Sequence, residues 1–114
     1  MKRTFLDYVE DIIESINLIN DFTENITYDE FFRDKKTNYA VIRAIEIIGE
    51  AVKNIPDEVK AEFHGIPWHK MAGMRNKIAH EYFGISLKIV WKVAKEELPV
   101  LKDDVALLMK KYDK

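Results

Sequence analysis

The spacing of apolar residues is the feature of this chain that most constrains its fold. Apolar side chains recur at intervals of three and four residues along almost the whole sequence, which is the period of an amphipathic α-helix. Only four glycines and three prolines interrupt the 114 residues. The pattern therefore predicts an all-α, up-and-down bundle of about five to six helices, in which antiparallel neighbours are joined by short turns.

The first half of the chain is predicted to contain two helices before a central one. The first runs from about Thr4 to Asn20 and is broken at Asn20-Asp21. Its buried stripe is predicted to consist of Phe5, Tyr8, Val9, Ile12, Ile16 and Ile19. A shorter helix is expected from Thr23 to Phe32, where Thr27 and Glu30 have the spacing of a capping box.

The central helix is predicted between Thr37 and Asn54, because apolar residues there, from Tyr39 to Val52, wrap most of its circumference and are expected to be buried. A short polar helix should follow at 57–63. Pro67 suits the first turn of the next helix, which is expected to reach Tyr82 and to end at Gly84. The last helical run should be capped by Ser86 and then kinked or restarted by Pro99.

Length and composition indicate one domain spanning residues 1–114. Hydrophobic residues make up 47% and charged residues 33%, as in ordinary soluble proteins. The absence of cysteine excludes disulfides and thiolate metal sites and fits a reducing compartment. No apolar run approaches the roughly 20 residues of a membrane helix, and the N-terminal residues do not resemble a signal peptide. We therefore expect a cytoplasmic protein that contacts no membrane.

The net charge of −2 conceals an uneven distribution of charged residues. Between His64 and Lys95 there are six basic side chains and a single acid, Glu81, whereas residues 1–63 carry fourteen acids and eight bases. Such a basic segment within an acidic protein indicates a local anion-binding surface and not a surface that is basic throughout, as in many DNA-binding proteins. An alternative explanation is that these lysines only lie on solvent-exposed helix faces, which would give the same number of basic residues.

One part of this basic segment combines residues suited to phosphodiester chemistry. It reads Met74-Arg75-Asn76-Lys77-Ile78-Ala79-His80-Glu81-Tyr82-Phe83-Gly84. A histidine can move a proton near neutral pH, and an arginine can stabilise charge that builds on phosphorus. Arg75, Asn76 and His80 are therefore the candidate catalytic residues, and no metal ion or cofactor is needed.

Helical geometry limits how these residues can meet. Arg75 and His80 lie roughly 140° apart around an α-helix and roughly 7.5 Å apart along it, so they do not share a face. Either the helix is distorted near His80, or two protomers pair so that Arg and His from both line one cleft. We favour the second solution, since a two-fold contact supplies it without further residues.

A longer stretch around the motif resembles a known family. Ile66-Pro67-Trp68-His69-Lys70-Met71-Ala72-Gly73 leads into Met74-Arg75-Asn76-Lys77-Ile78-Ala79-His80-Glu81-Tyr82-Phe83, which is similar to the signature of the HepT-like toxins in the HEPN superfamily of all-helical ribonucleases. Ala44-Ile45-Glu46-Ile47-Ile48-Gly49-Glu50-Ala51 and the region from Val90 to Leu101 extend the resemblance over nearly the whole chain.

The resemblance implies a homodimer that cleaves RNA without a metal, as the toxin of a type VII-like toxin–antitoxin system. It also implies a partner, a minimal nucleotidyltransferase of the MntA type, that silences the nuclease by attaching AMP to Tyr82. Lys70 and Lys77, which flank the motif arginine, are the expected RNA-binding residues.

The expected reaction is attack of a ribose 2′-hydroxyl on the adjacent phosphate. His80 would act as general base, Arg75 would stabilise the phosphorane, and Asn76 would orient the imidazole or donate to a phosphate oxygen. His80 of a second protomer could protonate the leaving 5′-oxygen. The product would be a 2′,3′-cyclic phosphate, and DNA should not be cut.

Other interpretations remain open. The chain could be a non-catalytic helical module that binds a nucleotidyltransferase or a nucleotide, or a plain dimerisation bundle. Arg75 could instead pair with Glu46 or Glu50 of the central helix. His64 and His69 are expected at the surface because their spacing fits no common zinc site. Trp68 and Trp91 are expected to serve packing.

Overall fold

The computed structural model is helical over most of the residues that it describes, which are 3–80 and 86–113, with the backbone alone at 75–80. No helix in those two ranges combines the length and apolar content needed to cross a membrane. The helices are α1 (Phe5–Thr23), α2 (Tyr28–Arg33), α3 (Lys35–Val52), α4 (Asp57–Glu62), α5 (Trp68–His80), α6 (Leu87–Lys92) and α7 (Leu98–Tyr112), and a π-helical segment, Val93–Glu97, joins α6 to α7. Counted with α6–α7 as one run, they match the five to six helices expected, and the all-α class is confirmed.

The end of α1 lies beyond its predicted position. Asn20-Asp21 does not break the helix, which continues to Thr23. The Thr23 side chain is fully buried, and its hydroxyl donates to the Ile19 carbonyl at 2.9 Å, so the last turn is held by packing that the local sequence does not reveal. The chain then turns at Asn25, whose φ of 62° lies in the left-handed region that asparagine tolerates.

Two capping side chains define the helices that follow. The capping box predicted at Thr27 is confirmed, because Thr27 Oγ1 accepts from the Glu30 N–H at 3.1 Å and Glu30 Oε1 accepts from the Thr27 N–H at 2.9 Å. The helix α2 therefore begins at Tyr28 and not at Thr23. Asp34 accepts from the Thr37 hydroxyl at 2.7 Å and from the Thr37 N–H at 3.2 Å, which lowers the pKa of this carboxyl.

The core is organised around α3, which packs along both α1 and α5. The apolar stripe predicted for α1 is confirmed, with Val9, Ile12, Ile16 and Ile19 at most 3% exposed. The prediction that Tyr39 belongs to the buried circumference of α3 is wrong, because this side chain is 61% exposed. It lies in the second turn of α3, on the side away from the neighbouring helices.

The direction of the helices follows from contacts at the two ends of the bundle. Phe5, at the start of α1, packs edge-on against Tyr112, at the end of α7, with ring centroids 5.3 Å apart. At the other end of α1, the Lys95 ammonium donates to the Thr23 carbonyl at 3.2 Å. The run from α6 to α7 is therefore antiparallel to α1, as the up-and-down prediction requires.

The effect of Pro99 is a local change in helix type. The chain stays helical through residues 93–97, but the Leu98 N–H donates to the Val93 carbonyl, five residues earlier. Pro99 then occupies the first turn of α7, where a missing N–H costs least. The predicted kink or restart takes the form of this π turn.

The contact that holds α2 on α3 can be tested at Asn38. This side chain is 3% exposed, and its amide donates to the carbonyls of Phe31 at 3.3 Å and Phe32 at 3.5 Å. We expect Asn38→Ala to lower the free energy of unfolding by about 1–3 kcal/mol, because buried carbonyls lose their donor. Asn54→Ala removes a comparable but exposed bond to the Glu50 carbonyl and should cost no more than about 0.5 kcal/mol. Equal losses in urea denaturation would contradict the assignment.

Candidate active site

The first half of α5 is anchored in the core. Trp68 is 8% and Met71 1% exposed, and the Trp68 indole N–H donates to the Phe63 carbonyl at 3.1 Å. Ile66, just before the helix, is 3% exposed. The predicted packing role of Trp68 is confirmed. These contacts fix both the position and the rotation of the helix that carries the motif.

The second half of α5 carries the candidate catalytic positions. The α-helix continues to His80, so positions 75 and 80 stay about 140° apart around its axis. The helix is regular up to His80, so the described residues show no distortion before that position, and the chain just after it, where the predicted distortion could also fall, lies outside the described residues. Within one protomer, positions 75 and 80 therefore belong to different faces of α5.

Several of the predicted site residues lie outside the described part of the structure. The side chains of Arg75, Asn76, Lys77 and His80 lie outside it, and so does the whole of Tyr82. The predicted end of this helix at Gly84 also lies outside the described residues. Their chemical roles stay predictions.

Lys70 is the predicted site residue whose side chain is described. It is 64% exposed and forms an ion pair with Glu97, whose side chain is 26% exposed at the end of the π segment. The pair joins α5 to the α6–α7 run. Sequence analysis missed Glu97, since no local pattern indicates which residue a π turn brings next to another helix.

An open groove of about 290 Å³ lies between α5 and α7, next to the motif helix. Its walls are mainly apolar, and the Lys70–Glu97 pair lies among its lining residues. Val100, on the α7 side, is 71% exposed. The apolar lining suits contact with another apolar surface better than contact with a phosphate.

The remaining polar candidates are near the motif but do not form a metal site. His64 and His69 are exposed, as predicted. Among residues 3–74 and 86–113, no three His, Asp or Glu side chains cluster closely enough to hold a metal ion. Glu46, half-buried on α3, lies on the helix that packs against α5, so pairing of Arg75 with a central-helix carboxylate stays a prediction.

Comparison with known proteins identifies the family. The sequence model described as ribonuclease HepT-like matches residues 12–108, which include all of the motif positions. The chain belongs to the HepT-like ribonuclease family, and its all-helical fold agrees with the HEPN type.

Individual relatives agree with this assignment. The chain is 52% identical over 110 residues to a Thermococcus cleftensis protein described as "Probable ribonuclease HepT", with 96% of this chain and 100% of that protein covered. It is 43% identical over 107 residues to a "Putative RNase" of Methanocaldococcus jannaschii, with coverage of 94% and 98%. A second protein of that organism, described as "Gamma-glutamylcyclotransferase and putative RNase", is 42% identical over all 114 residues, which span 51% of its own length. No solved structure matches the chain.

The Lys70–Glu97 pair should contribute little to folding because it is largely solvated. We expect a double-mutant cycle of Lys70→Gln and Glu97→Gln to give a coupling free energy below about 1 kcal/mol. Thermal and urea denaturation of the four proteins would measure it. A coupling above about 2 kcal/mol would mean that Lys70 is a structural cation and not one that RNA can engage.

Proposed function

We propose that this protein is a metal-independent endoribonuclease, the toxin of a type VII-like toxin–antitoxin system, with its active site in a cleft between two identical protomers. The observation that carries the proposal is a regular α-helix that bears Arg75, Asn76 and His80 in the part of the chain matched by the ribonuclease HepT-like family. The descriptions of its relatives as ribonucleases support RNA as the substrate.

The proposal of a shared cleft follows from the rotation of α5. One protomer carries positions 75 and 80 about 140° apart, so the two positions lie on different faces of its helix. A two-fold axis beside the helix brings the arginine face of one copy towards the histidine face of the other.

The proposed reaction uses one histidine from each copy. His80 of one protomer accepts the proton of the 2′-hydroxyl as its oxygen attacks the phosphorus. Arg75 and Asn76 donate to the non-bridging oxygens as negative charge builds there. The protonated His80 of the second protomer then donates to the departing 5′-oxygen. The P–O5′ bond breaks, and the products are a 2′,3′-cyclic phosphate and a free 5′-hydroxyl.

Lys70 and Lys77 complete the proposed substrate contacts. They lie on the same helix as the catalytic positions, ten and three residues before His80, where phosphates next to the scissile one would pass. The Lys70–Glu97 ion pair is solvent-exposed, so an RNA phosphate can replace the Glu97 carboxylate as the partner of the Lys70 ammonium. Such contacts add affinity without sequence preference.

Cleavage assays on purified protein test the catalytic assignment. We expect His80→Ala and Arg75→Ala each to lower the cleavage rate of single-stranded RNA by 100-fold or more, since general acid–base and electrostatic contributions are typically about 10²–10⁴-fold. His69→Ala is the matched control, because His69 is an exposed histidine on the same helix. It should cleave at the wild-type rate. Equal activity of His80→Ala and His69→Ala, or equal cleavage of DNA and RNA, would refute the mechanism.

A mixed dimer tests the shared cleft within the same assay. Wild-type and His80→Ala chains with different tags can be co-expressed and purified through both tags. If the two histidines serve one cleft, the mixed dimer loses most of its activity, whereas independent sites would retain about half of it. Retention of half the activity would leave the nuclease assignment intact and refute only the sharing of the cleft.

Tyr82 has a separate, regulatory role in this proposal. It follows the catalytic histidine by two residues, within the basic segment that we assign to RNA. A nucleotidyltransferase of the MntA type would transfer AMP from ATP to the phenolic oxygen and release pyrophosphate. The added phosphate and adenosine would exclude RNA by charge and by volume.

Mass spectrometry with the partner enzyme and ATP tests this regulation. We expect the mass of the wild-type chain to rise by whole multiples of AMP while its nuclease activity falls, because the modified side chain occupies the substrate path. The substitution Tyr82→Phe should abolish the adduct and preserve activity. Tyr39→Phe, at an exposed tyrosine on α3, should still be modified. An adduct that persists on Tyr82→Phe places the modification elsewhere.

A further inference from the structure

A cluster of aromatic rings covers the end of the bundle where α2 packs against α6. Phe31 packs on Trp91 with ring centroids 5.1 Å apart, and Tyr28 packs edge-on against Trp91 with centroids 6.1 Å apart. Tyr28 also contacts Phe32 at 6.1 Å. The rings form a continuous series from the fully buried Phe31 to Phe32, which is 55% exposed. The predicted packing role of Trp91 is confirmed, but burial does not account for Phe32.

Three lysines follow Leu87 on the α6 side of this cluster, and one of them contacts the Trp91 ring. Lys88 and Lys92 are four residues apart on α6, so they share one face and lie roughly 6 Å apart along the helix axis. Both are exposed, and within residues 3–74 and 86–113 neither forms an ion pair. Lys95, one turn further on, is positioned by the Thr23 carbonyl and lies 5.5 Å from the centre of the Trp91 ring.

The carboxylates of α2 and its linker to α3 already have local partners. Asp29 pairs with Arg33 at 3.2 Å, Glu30 closes the Thr27 capping box, and Asp34 caps α3. They are therefore poor competitors for Lys88 and Lys92. We call the exposed surface formed by Tyr28, Phe32, Lys88, Trp91 and Lys92 the α2–α6 face.

Chain connectivity limits the distance between the α2–α6 face and the proposed catalytic helix. Seven peptide units join His80 to Leu87, so their Cα atoms are at most about 25 Å apart. Both α5 and α6 pack against α3, which holds them in fixed relation. A strand of RNA that leaves the catalytic positions can reach α6 within a few nucleotides.

We propose that the α2–α6 face binds single-stranded RNA, with Lys88 and Lys92 contacting successive phosphates and Phe32 stacking on a base. The proposal rests on the proposed function, because it takes RNA as the substrate. Exposed aromatic rings beside a basic stripe are the combination by which proteins hold unpaired strands without sequence preference. A duplex keeps its bases stacked on each other and offers none to Phe32.

A binding experiment on the full-length protein tests the lysines independently of cleavage. The probe is a short fluorescein-labelled 2′-O-methyl RNA, whose blocked 2′-oxygen cannot attack phosphorus, and anisotropy is measured over a range of KCl concentrations. Each phosphate contact contributes about 0.7 to the slope of log affinity against log salt for a single strand. We therefore expect Lys88→Gln/Lys92→Gln to reduce that slope by about 1.4.

A second lysine pair provides the matched control. Lys102→Gln/Lys110→Gln removes the same charge from two exposed positions of α7 and should leave the slope unchanged. If the two double variants have equal slopes, the α2–α6 face does not contact phosphates and the proposal is overturned. Thermal denaturation should give similar midpoints for all variants, since the positions are exposed.

Substitutions at Phe32 test the stacking contact. Phe32→Leu keeps an apolar side chain but removes the aromatic face, and we expect it to weaken binding of the single strand roughly tenfold. Phe32→Tyr retains the ring and should bind like wild type. Wild-type affinity in Phe32→Leu would overturn the proposal and indicate a protein-docking role for this face. Cleavage of unmodified RNA by the wild type is measured separately, so failure of the nuclease assignment remains distinguishable.

Discussion

The packing of α5 against α3 is the constraint on which the rest of this molecule depends. Trp68 and Met71 insert into the core and leave α5 no freedom to rotate, so the faces on which positions 75 and 80 lie are determined by residues four or more positions away. A motif on a loop could bring its arginine and histidine together by changing backbone angles. A motif on an anchored helix cannot, and this rigidity makes a second copy the simplest way to complete the site.

The same rigidity extends to the run from α6 to α7. The π turn between residues 93 and 97 lets the chain stay helical up to Pro99, and it brings Glu97 to Lys70 on α5. Through Lys95 it also reaches the last turn of α1, and through α6 it reaches the aromatic residues of α2. One irregular segment thus links three parts of the bundle, and it places Pro99 in the first turn of α7, where the missing N–H costs least.

Features that depend on local sequence were predicted well, whereas features that depend on contacts between helices could not be predicted from the sequence. Apolar periodicity gave the all-helical class and the stripe of α1, and Thr27 with Glu30 marked the start of α2. The end of α1 was missed because it depends on the burial of Thr23, and Tyr39 was placed in the core because periodicity does not show where neighbouring helices stop. For the site, the spacing of Arg75 and His80 indicated both the chemistry and the geometric conflict. Glu97 could not be predicted as the ion-pair partner of Lys70, because the π turn that brings it next to α5 is not apparent in the sequence.

The uneven charge distribution explains how an acidic protein can act on a polyanion. At physiological salt the Debye length is about 8 Å, so a phosphate on α5 or α6 responds to the charges within a few ångströms and not to the net charge of the chain. The acids of residues 1–63 lie mostly on other helices, and those nearest the α2–α6 face are engaged in caps and an ion pair. A two-fold pairing of the proposed kind would place two copies of the basic segment around one cleft and raise the local potential without altering the sequence. Segregation of charge along the chain and pairing of protomers therefore act together, and neither would suffice for the proposed cleft alone.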